Sequence, residues 1–118
     1  MTTRMNTAYN SKREIISVTG TDVSYPDIPV VINSLYTYLK LNCKYLVASD
    51  TSSGTIEIYD YSDTLVLSGA ITLGSSTSYI QATESSLNIG SLDAGIYICK
   101  LKFTGTGLKV KYLNIHTI

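Results

Sequence analysis

The feature that most limits how this chain can fold is the alternation in IYICKLKF, residues 96–103. In an extended strand, successive side chains point to opposite faces. Lys100 and Lys102 must reach water, so Tyr97, Cys99, Leu101 and Phe103 face a core. LKVKYLNIH, residues 108–116, follows the same rule: Lys109 and Lys111 point outward, and Leu108, Val110 and Tyr112 point inward. A helix would spread these residues around its circumference, so two half-buried strands are the first elements the chain demands.

The rest of the chain is built in the same way. EIISV (14–18), VVINSLYTYLKLN (30–42), KYLVASD (44–50), IEIYDY (56–61), TLVLSGAITL (64–73), YIQATE (79–84) and SLNIGSL (86–92) are β-type runs. TGTD, DTSSGT and GSSTS separate them, and TGTG (104–107) reads as the turn of a final hairpin. YPDIP (25–29) reads as a loop, because Pro26 and Pro29 lack ladder donors. In 33–47, Leu35, Leu39 and Leu46 are loosely helix-spaced, but the Tyr, Val and Cys content favours strand. Short strands at regular spacing predict an all-β fold. The expectation is an immunoglobulin-like antiparallel β-sandwich of about seven strands. It would occupy residues 14–118, behind a polar, extended N-terminal arm of residues 1–13.

SLDAGIYICKLKF (91–103) carries a further device. Asp93-Ala94-Gly95-Ile96-Tyr97-Ile98-Cys99 resembles the D-x-(A/G)-x-Y-x-C passage into strand F of immunoglobulin-like domains. The resemblance implies that Tyr97 hydrogen-bonds back across a corner of the sandwich. The alternative is a core tyrosine without that bond. Gly95 would supply backbone freedom to the preceding turn. Cys43 and Cys99 both fall on inward positions. The resemblance implies an intersheet bridge between them, and the absence of an export signal implies two buried thiols instead.

A second resemblance covers residues 54–118. GTIEIYDYSDTLVLSGAI and LNIGSLDAGIYICKLKFTGTGLKVKYLNI are similar, in order and spacing, to the C-terminal sorting domains of Bacteroidetes type IX secretion substrates. Those domains are small immunoglobulin-like sandwiches. Asp63 stands where that family has glycine, and the chain ends NIHTI without the family's final basic residue. The resemblance implies a Bacteroidetes gene, or one from a virus infecting that group.

Chemistry is sparse. His116 is the one histidine, and no acid is placed beside it in the sequence to make a base of it. Neither cysteine has metal-site spacing to a second ligand. TGTG and GSSTS match no phosphate-binding motif. Asp60 and Asp63 flank a hairpin turn. The expectation is a non-enzymatic protein without cofactor or metal. Charged residues are 15% and the net charge is zero, which gives no pull toward nucleic acid. No apolar run is long enough for a membrane span, and MTTRMNTAYNSKREIISV lacks the apolar core of a secretory signal.

What remains is contact with protein. Arg4, Tyr9, Lys12 and Arg13 on the arm, and Tyr36 and Tyr38 on a strand face, are the expected partner-binding residues. The expected role is an auxiliary capsid protein that decorates or cements a bacteriophage virion. It would bind shell subunits or copies of itself after synthesis in the host cytoplasm. The alternative is a secreted or cell-surface module for sorting, adhesion or carbohydrate binding.

Overall fold

The computed structural model describes residues 6–10, 16–19, 23–24, 27–48 and 52–118. Arg4, Lys12 and Arg13 lie outside them. The described residues form eleven strands and no helix: β1 (Asn6–Asn10), β2 (Ile16–Thr19), β3 (Val23–Ser24), β4 (Ile28–Ile32), β5 (Tyr38–Leu46), β6 (Ser53–Tyr59), β7 (Leu65–Ile71), β8 (Ile80–Gln81), β9 (Ser85–Asn88), β10 (Gly95–Thr104) and β11 (Thr106–Thr117). All pairings are antiparallel.

The strands make two sheets. In the six-stranded sheet, β1 and β2 share one edge of β11, β5 lies on the other side of β11, and β8 and β9 share the far edge of β5. In the five-stranded sheet, β3 and β4 share one edge of β10, followed by β6 and β7. The all-β antiparallel sandwich is therefore present. Its wiring is that of a double-sheet jelly roll, with four lanes in each sheet. Among the described residues, β6–β7 is a hairpin within one sheet, and the lanes otherwise alternate between sheets along the chain. Two expected elements change sheet partway, which the expectation of about seven immunoglobulin-like strands does not include.

The first is residues 30–42. Asn33 breaks the run: its Oδ1 accepts the Leu35 N–H at 2.9 Å, and its carbonyl accepts the Tyr36 N–H at 3.2 Å. β4 thus ends in one sheet and β5 begins in the other, leaving Leu35 exposed. The second is the expected final hairpin. β10 and β11 belong to opposite sheets, and Gly105 carries the chain across. Pro29 lies inside β4 rather than in a loop. It fits there because β4 is an edge strand, where one ladder donor can be spared.

The 1–13 segment is not wholly an arm. Asn6–Asn10 is strand β1, paired with residues 114–117 of β11 in the same chain. Ala8 and Tyr9 are partly buried and pack against the core of their own chain.

The core lies between the sheets. Leu39, Leu41 and Cys43 of β5 and Leu108, Val110, Leu113 and Ile115 of β11 meet Ile56, Ile58, Cys99, Leu101 and Phe103. β11 keeps its apolar residues inward by a bulge. Lys111 pairs with Lys44 and Asn114 with Asn42, so Tyr112 and Leu113 together oppose Cys43. Leu113 enters the core and Tyr112 faces water, the reverse of the sequence expectation. The backbone at Tyr112 has φ +53°, a left-handed conformation that costs a residue bearing a Cβ about 1–2 kcal/mol. Asp63 has φ +61° in the β6–β7 turn. Aspartate tolerates that region better than most residues.

Candidate functional site

The Asp93–Tyr97 corner closes as a built joint. Tyr97 is buried, and its hydroxyl donates to the Asp93 carbonyl at 2.7 Å. Gly95 is the first residue of β10, opposite Ile32, and has no positive φ. A Cβ there would meet only Tyr97 Cε1 at 3.9 Å, so the corner does not need glycine's freedom. Tyr36 lies in the turn before β5 and packs on the core near this corner. Tyr38 is exposed on β5. The two tyrosines therefore do not share a strand face. Cys43 and Cys99 are buried free thiols on opposite sheets. Burial pushes Cys43 up to about 11 and Cys99 up to about 12.

Two outer sheet faces carry what contact chemistry the described residues offer. The five-stranded sheet has an apolar row at one end. Val31 opposes Ile96, and Pro29, Ile98, Tyr59 and Leu65 follow one another across four adjacent strands. Ile96 is 61% exposed, Leu65 46% and Val31 44%. Tyr61, in the adjoining β6–β7 turn, is 97% exposed. The row gives way to ion pairs along the same strands. Lys100 sits 4.4 Å from the centre of the Tyr59 ring and 3.4 Å from the Asp63 carboxylate. Glu57, nearly buried, is held by Lys102 at 3.3 Å and accepts the Tyr59 hydroxyl at 3.2 Å. Asp60 is used by its own turn: Oδ1 accepts the N–H groups of Ser62 at 2.9 Å and Thr64 at 3.0 Å.

The six-stranded sheet presents a different face. Tyr38, Lys40, Asn42 and Lys44 alternate outward along β5. Across the register, Lys111 opposes Lys44, Asn114 opposes Asn42, and His116 opposes Lys40. His116 Nδ1 lies 2.8 Å from Asn114 Oδ1. Glu84 accepts from Asn42 at 3.0 Å and Lys40 at 3.2 Å. The Asn42 hydrogen bond, then that from Lys40, holds the Glu84 carboxyl below its ordinary value. Lys111 lies 3.8 Å from the centre of the Tyr79 ring and 5.3 Å from that of Tyr112. Lys44 lies 5.8 Å from the Tyr112 ring. Sequence reasoning missed this cluster because it placed Tyr112 inside. The signal was there: Leu113, Ile115 and Thr117 alternate out of phase with Leu108 and Val110, which a bulge alone reconciles.

Among the described residues, no group of three His, Cys, Asp or Glu side chains could hold a metal ion. No described helix is long and apolar enough to cross a membrane.

No protein-family model matches the chain, and no curated protein matches it. Solved structures do. A chain of infectious bursal disease virus, strain Gt, is similar over 98% of this chain at 14% identity and a TM-score of 0.58. This chain spans about a third, 32%, of that one. The C-terminal CBM6 of LamC, a marine laminarinase from Zobellia galactanivorans, is similar at 13% identity and a TM-score of 0.55, over 98% of this chain and 91% of that one. A carbohydrate-binding module from Cellvibrio mixtus lichenase 5A, in complex with cellotriose, is similar at 14% identity and a TM-score of 0.53, over 98% and 97%. At such identities the likeness establishes the β-sandwich fold.

Proposed function

We propose that this chain is a non-enzymatic structural protein of a large assembly, an auxiliary protein that decorates or cements a bacteriophage shell. It seats on a shell subunit through the outer face of its five-stranded sheet. The observation that carries this is the apolar row Val31–Ile96 and Pro29–Ile98–Tyr59–Leu65, which crosses four strands unbroken. Contiguous apolar patches on protein surfaces mark contact sites, whereas isolated apolar residues do not. Covering each half-exposed aliphatic side chain contributes roughly 1 kcal/mol. The ion-pair zone beside the row would form the polar rim that such interfaces carry. The jelly-roll wiring supports the reading by analogy, because viral capsid domains use it. So does the likeness to a chain of a virus. Arg4, Lys12 and Arg13 would add exposed ion pairs of about 0.2–1 kcal/mol each.

Particles from the native source, banded on a density gradient, test the reading. The tagged chain is expected to band with the shell, and Ile96→Lys to stay at the top of the gradient while keeping its circular dichroism. A wild-type chain absent from the band, or an Ile96→Lys chain still in it, would overturn the proposal.

A second reading is a cell-surface or secreted module that binds carbohydrate or, as the resemblance in residues 54–118 implies, sorts a cargo. The tyrosine, lysine and amide face of the six-stranded sheet favours carbohydrate. The likeness to carbohydrate-binding modules over nearly their whole length supports it.

A further inference from the structure

We propose that the outer face of the six-stranded sheet, centred on Lys44, Lys111, Tyr79 and Tyr112, binds an acidic glycan. The inference rests on the second reading above and names its ligand. Two local rules are broken at one spot. Lys44 and Lys111 stand directly opposite one another, a like-charge cross-strand pair that destabilises a sheet. Beside them Tyr112 holds a left-handed backbone that suits glycine and not a bulky ring. The bulge that imposes this backbone also turns the ring outward, beside both lysines, of which Lys111 also stands over the Tyr79 ring. Local costs concentrated on an exposed cluster are the pattern of a functional site.

The chemistry of the cluster selects the ligand. Lys40, Lys44, Lys109 and Lys111 lie on this sheet, and among the described residues the carboxylate beside them, Glu84, is already held by Lys40 and Asn42. Among the described residues no carboxylate is paired with Lys44 or Lys111, which leaves a positive centre between them suited to a carboxylate or sulfate. Tyr79 and Tyr112 offer ring surface to the C–H groups of a pyranose. Asn42 and Asn114, the next outward row of the sheet, offer its hydroxyls the amide groups not engaged by Glu84 and His116. A phosphodiester chain has no hydroxyl-rich unit to use that amide row. An acidic glycan uses the lysines, the rings and the amides together.

Titration calorimetry with four probes decides the matter: hexagalacturonate, cellohexaose, poly-glutamate and oligo-dT. Hexagalacturonate is expected to bind at least tenfold more tightly than the other three. Lys44→Gln with Lys111→Gln should weaken it at least tenfold, and Tyr112→Asn at least threefold, with circular dichroism unchanged. Cellohexaose bound equally well, and insensitive to the lysine substitutions, would leave the carbohydrate reading standing and overturn the acidic ligand. Binding of neither glycan would overturn both. Poly-glutamate or oligo-dT bound as tightly would reveal a general polyanion surface and overturn the proposal, as would Tyr112→Asn at full affinity.

Discussion

Replacing Gly107 by alanine should damage the fold more than its single methyl group suggests. Gly107 lies just past the crossing from β10 to β11, where the chain leaves one sheet for the other. Its φ is +66°, the left-handed region. A Cβ there would lie 2.6 Å from the Cβ of Ala48 and 3.5 Å from its backbone nitrogen. The backbone conformation alone costs a non-glycine residue about 1–2 kcal/mol. Forcing a carbon into so close a contact costs about 1–3 kcal/mol more. Alanine returns roughly 0.4–1 kcal/mol by restricting the unfolded chain. The net loss is about 1–4.6 kcal/mol, or a melting temperature lower by about 4–18 °C for a domain of this size. Gly95→Ala is the matched control: its Cβ meets nothing closer than 3.9 Å and its φ is ordinary, so it should be neutral or slightly stabilising. Thermal unfolding by circular dichroism, on both variants, reads the difference. If Gly107→Ala melts within about 2 °C of wild type, or if the two variants lose equally, the crossing between sheets is not built as described.

Two further outcomes follow from the core. Tyr97→Phe removes the bond to the Asp93 carbonyl and should cost about 0.5–1.5 kcal/mol in urea unfolding, with the m-value unchanged; no loss would make Tyr97 an ordinary core ring. The cysteines give a pH dependence. Burial raises both thiols from 9.0, Cys43 to about 11 and Cys99 to about 12. The unfolded chain ionises them first and so holds fewer protons in that window. Their contribution is whole below about pH 9 and is lost as the pH rises through about 11 to 12. Urea midpoints should fall across that range, less steeply in Cys99→Ala; equal slopes would refute the assignment.

The strands were readable where charge and apolar character alternate without interruption. Lys100 and Lys102 against Cys99, Leu101 and Phe103 set the orientation of β10 correctly. The corner at Tyr97 was readable because its geometry is local, with donor and acceptor four residues apart. Sheet membership was not. Residues 30–42 look like one strand because the turn at Asn33 is made by a side chain that alternation does not weigh. TGTG looks like a hairpin because a tight turn and a crossing between sheets use the same residue types. The bulge at Tyr112 hid the lysine–tyrosine cluster, since one extra residue reverses every side chain after it. The apolar row on the five-stranded sheet was out of reach for another reason. Its members come from four strands, and only the register brings them side by side.

Hydroxyl-radical footprinting, comparing the free chain with the chain on its native particle, tests the central claim most directly. The account predicts that Ile96, Val31, Leu65 and Tyr61, all exposed in the free chain, become protected, while Tyr112 and Tyr38 on the opposite face stay labelled. Equal labelling of Ile96 in both states, or protection confined to the six-stranded sheet, would contradict it.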